Sequence, residues 1–159
     1  MNVASLQRQM KNGAYNFYWI AGLSITTSIG FIFNTRFSLV VGLGVTQFMD
    51  ITIHNLVQTL PNSAFLIHAI GLLLDLFICG VFALCGYLAA KGHRWAFISG
   101  MLLYGLDAIL TLVSMDFIGF GFHLFFLWFL LSGLQALNKL KEILPDPDLN
   151  HVLPKNTGS

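Results

Sequence analysis

Asp75 and Asp107 stand inside long apolar stretches of the chain, where a carboxylate costs several kcal/mol unless it is neutralised, hydrogen-bonded or turned towards a cavity. Two such acids brought together can share one proton, because like charges repel strongly where the dielectric is low. With Tyr104 and Thr111 as hydroxyl neighbours at helical spacing from Asp107, the pair Asp75 and Asp107 is a candidate proton or cation relay. The plainer chemistry is a protonated Asp that hydrogen-bonds a hydroxyl, a carbonyl or the other acid and glues two helices together, worth about 1 kcal/mol. Both stretches show a small or polar stripe. One runs through Ala64, His68, Gly71, Asp75, Cys79 and Gly86, the other through Gly100, Tyr104, Asp107, Thr111 and Ser114.

A second set of residues has the donor types that suit zinc or another transition metal. It comprises His68, His123, Asp116 and the i, i+4 pair Asp50 and His54. The chain has no HExxH and no two histidines at i, i+4, so a site would depend on convergence of distant segments. Histidines at a membrane interface are more usually satisfied by water, headgroups or a carboxylate. Ser24, Ser28, Ser99, Ser114 and Ser132 lie in no GxSxG, which leaves little basis for a serine hydrolase. Gly42-Leu43-Gly44 is too sparse to cradle a phosphate. Cys79 and Cys85 sit about 120° apart around one helix and read as packing residues. No cofactor is evident, and the sequence favours a non-enzymatic role.

The elements that must position these residues follow from composition. Of 159 residues, 56% are hydrophobic and only 9% charged, and the mean hydropathy is +0.75. A soluble domain carries about a quarter charged residues, so the solvent expected here is lipid. A formal net charge of +1 with no basic run excludes a nucleic-acid partner. Residues 14–33 contain no charge, 64–90 contain one acid, and 96–114 and 117–137 are joined by a short turn at Met115 and Asp116. Each is long enough for a hydrocarbon core of about 30 Å, and the short turn requires an antiparallel hairpin. The apolar run that begins the chain has no cleavage pattern after it and is expected to stay as an anchor.

Orientation comes from the basic residues. With four spans, Arg8, Lys11, Lys91, Arg94, Lys139, Lys141 and Lys155 share one side and Arg36 stands opposite, so the positive-inside rule places both termini in the cytoplasm. Trp19, Trp95, Tyr15, Tyr18 and Tyr87 fit an aromatic belt on that side. A fifth span over residues 37–60 would break the charge asymmetry. Gln47, Asp50, His54 and Gln58 recur at three or four and line one face, which predicts an amphipathic helix over 45–60, lying on the outer face or dipping into it. Residues 145–159 hold three prolines and little apolar content and read as a disordered cytoplasmic tail.

The segments KGHRWAFISGMLLYGLDAILTL and GFGFHLFFLWFLLSGLQALNKL carry the pattern RWAF-x-x-G-x-x-LY-x-LD, then FH, then GLQAL. Over residues 64–140 this resembles an uncharacterised family of small bacterial inner-membrane proteins with four helices. The resemblance implies a bacterial inner (plasma) membrane and no mechanism. The expectation is an all-α, multi-pass integral membrane protein: a four-helix bundle over residues 1–144 with an additional amphipathic or re-entrant helix on its outer face. Three roles follow: a structural or accessory subunit, which is favoured; a small proton- or cation-translocating protein; and a metal-dependent membrane enzyme. The partners are the lipid bilayer and, for an accessory protein, a second copy or a larger membrane complex.

Overall fold

The computed structural model describes residues 2–32 and 43–144, and within these the side chains of residues 31, 32, 47 and 50 are not described. Phe33, Arg36, the start of the 37–60 stretch and the tail 145–159 lie outside the described residues. So does the side chain of Asp50.

Five α-helices and one 3-10 turn account for nearly all of the described chain: α1 Val3–Ile32, α2 Gly44–Thr59, the turn Pro61–Ser63, α3 Ala64–Ala90, α4 Arg94–Val113 and α5 Phe117–Ile143. Among the described residues, three helical segments are long and apolar enough to cross a membrane: Pro61–Ala90, α4 and α5. Helix α1 differs from expectation in two respects. It starts eleven residues before the apolar run, at Val3, and it is not one of those three. Its apolar half is interrupted by Ser24, Thr26, Thr27 and Ser28. Three of these hydroxyls donate back to their own helix, Ser24 to Ile20, Thr26 to Gly22 and Thr27 to Leu23, which reduces what the neighbours must satisfy.

Helix α1 lies along α3 and α5, and α4 lies along α5 and α3. The buried face of α1 runs Leu6, Met10, Ala14, Phe17, Ile20, Ala21, Ser24, Thr27 and Ser28, a stripe at three-to-four spacing. Close approach to α5 depends on two glycines. A Cβ on Gly13 would stand 2.5 Å from the Cα of Gly133, so neither position has room for a side chain. One turn away, Gln9 Nε2 donates to Ser132 Oγ at 2.7 Å. Phe17 fills the adjoining space. Its ring centroid is 6.1 Å from that of Phe97 and 6.4 Å from that of Phe82, and Gly100 leaves the gap it enters.

Both tight connections are built alike. After α3, Gly92 adopts φ 84°, its N–H meets the Ala89 carbonyl and the His93 N–H meets that of Leu88. After α4, Met115 adopts φ 60°, with its N–H on Leu112 and the Asp116 N–H on Thr111. These are Schellman ends, in which a left-handed residue lets two carbonyls of the last turn find donors. Asp116 then caps α5, accepting the Gly119 N–H at 2.9 Å.

Candidate functional site

Helix α2 opens with no side chain to cap it. The first N–H groups of a helix need acceptors from somewhere, and here they come from a different helix. Asp107 of α4 accepts the Gly44 N–H on Oδ2 and the Val45 N–H on Oδ1, each at 2.8 Å. The preceding Leu43 N–H goes to Ser24 of α1, also at 2.8 Å. Gly44 is required by proximity: a Cβ there would meet Thr111 Cγ2 at 2.6 Å. The positive end of the α2 dipole thus rests on a carboxylate.

The same carboxylate meets α5. His123 Nε2 lies 2.7 Å from Asp107 Oδ2, and His123 Nδ1 lies 2.8 Å from the Gly119 carbonyl oxygen. A carbonyl only accepts, so Nδ1 carries a hydrogen. The short Nε2 to Oδ2 contact then requires one further proton between the two atoms, held as imidazolium and carboxylate or as imidazole and carboxylic acid. In both forms the pair has no net charge, which is the arrangement a buried, water-poor site tolerates best. Tyr104 stacks on the imidazole with centroids 4.5 Å apart and touches Phe82 and Phe126 edge-on, so an aromatic column fixes the ring. His123 is 1% exposed and Asp107 6%.

Of the relay candidates, Asp107, Tyr104 and Thr111 gather here. Thr111 donates to the Ala108 carbonyl at 2.8 Å. Asp75 is buried on α3, but the hydrogen bonds of Asp107 run to α2 and α5 and not to Asp75. Of the metal candidates, His123 belongs to the Asp107 pair, Asp116 caps α5, and His54 lies 3.0 Å from Gln58 on α2. His68 is half-buried in α3. Among the described residues no three of His, Cys, Asp and Glu converge on a common point.

Sequence reasoning missed the backbone part of this site. Gly44 and Val45 contribute amides, which leave no trace in residue type. The available signal was a helix start with no Ser, Thr, Asp or Asn at its cap, which implies an acceptor elsewhere. No protein-family model, curated protein or solved structure matches the chain.

Proposed function

We propose that the chain is a multi-pass membrane protein of structural or accessory type. In this reading α1, α3, α4 and α5 cross the bilayer as a four-helix bundle, and α2 is a re-entrant helix locked into it by Asp107. The observation that carries this reading is the inward closure of the site. The two Asp107 oxygens take two α2 amides and the His123 ring, whose other nitrogen is held by Gly119. Such a set ties three helices together. Asp107 sits six residues before the end of α4, roughly 9 Å below it along the axis. Irregular backbone at that depth is tolerated only where protein satisfies it.

Orientation with both termini in the cytoplasm of a bacterial cell, in the inner membrane, is supported by the seven basic residues on one side. Tyr15, Trp19, Tyr87 and Trp95 are all exposed, as residues of an interfacial belt would be, and Lys91 Nζ sits 4.3 Å above the Tyr87 ring.

The shared proton between His123 and Asp107 is the specific feature that favours proton translocation instead. Proteoliposomes carrying a pH-sensitive dye distinguish the two under an imposed potential. The structural reading expects no flux above empty liposomes. Flux in the wild type that disappears in a folded Asp107→Asn protein would overturn it.

A further inference from the structure

Beside the locked carboxylate the structure leaves an open cavity of about 470 Å³ between α3 and α4, with Leu43 and Val45 at the start of α2 also in its lining. Its walls include Leu43, Phe77, Val81, Phe82, Leu103 and Leu106, and Asp107 is the one polar side chain among the lining residues. A concave, mostly apolar space with one polar group is the usual form of a small-molecule site.

The polar group narrows the occupant. Among the described residues, Asp107 Oδ2 is bonded twice, by the Gly44 amide and by His123, whereas Oδ1 takes only the Val45 N–H. Val45 itself lines the cavity, and a carboxyl oxygen has two lone pairs. One acceptor position is therefore left at the end of an apolar slot. Charge decides what fits it. The Asp107–His123 pair is neutral as a unit, so a cationic ligand would bring an uncompensated charge into apolar surroundings, and an anionic one would face an acceptor. A neutral donor on an apolar body meets both requirements.

We propose that this cavity binds a lipophilic alcohol, with the chain between α3 and α4 and the hydroxyl donating to Asp107 Oδ1. This goes beyond the structural role argued above and does not depend on it, since a lock and a binding slot are read by different experiments.

The test is photolabelling of the full-length protein in liposomes with a diazirine-bearing long-chain alcohol, and the labelled residues are located by mass spectrometry. The expected result is saturable labelling of Phe77 or Leu103. Unlabelled 1-dodecanol should displace the probe roughly fivefold better than dodecyl methyl ether, which has the same chain and no donor, because one ordinary hydrogen bond is worth about that factor. Val81→Phe, which fills the slot without touching the Asp107 hydrogen bonds, should abolish the label. Equal competition by alcohol and ether would overturn the hydroxyl contact and leave a slot for any acyl chain. Labelling that does not saturate, or that survives Val81→Phe, would overturn the site itself. The ether comparison uses the wild type, so it stands even where an Asp107 variant fails to fold.

Discussion

A carboxylate that serves three partners makes each of them costly to remove. His123→Ala deletes the imidazole facing Asp107 Oδ2 at 2.7 Å and leaves an acid with 6% exposure holding only backbone amides. Breaking one side of a buried pair costs about 3–5 kcal/mol, so unfolding in detergent should show a loss of that order, with His123→Gln losing less because it keeps an N–H donor. Asp107 was legible as a residue of consequence because a charge in an apolar run stands out in composition alone. Its partner was not. Residue type alone groups His123 with the metal-ligand set and Asp75 with Asp107 as two acids in apolar stretches. Depth follows from counting residues, whereas pairing also needs the rotation of each helix about its axis. Helices apolar on nearly every side, as α3, α4 and α5 are, leave that rotation open until they pack.

At the level of elements, the two Schellman turns separate what sequence spells out from what packing imposes. Gly92 at the end of α3 is the residue type such an end prefers. Met115 takes the same left-handed conformation with a side chain, a strain of roughly 1–2 kcal/mol for an L-residue. Met115→Gly should therefore raise stability by about 1 kcal/mol, seen as a higher midpoint of thermal or denaturant unfolding. Met115 is well exposed, so the exchange removes little packing. The stretch 45–60, for which the sequence predicts an amphipathic helix, is helical over Gly44–Thr59. Its polar periodicity located it, but nothing in that periodicity revealed that its first turn would be capped by Asp107, because the cap lies 63 residues away in the chain.

For the molecule as a whole, the seam between α1 and α5 is set by two glycines in backbone contact. Gly13→Leu would drive a side chain into the backbone of Gly133, separate α1 from α5 and break the Gln9–Ser132 hydrogen bond. Overpacking of this kind costs about 1–3 kcal/mol, and a cysteine pair on the facing surfaces of α1 and α5 should lose its cross-linking yield. The all-helical class and three of the apolar segments were readable from hydropathy. The glycine crossing was not, since Gly13 and Gly133 are separated by most of the sequence and belong to no spacing motif. That separation bears on how the protein is made. Helix α1 is synthesised well before α5, the helix whose surface covers its Gly13 face. Until residue 133 emerges, the nascent chain holds the least apolar of its four long helices without the partner it is shaped for. Chains that stop short of α5 should therefore be cleared by membrane proteases instead of accumulating, however well their earlier segments are made.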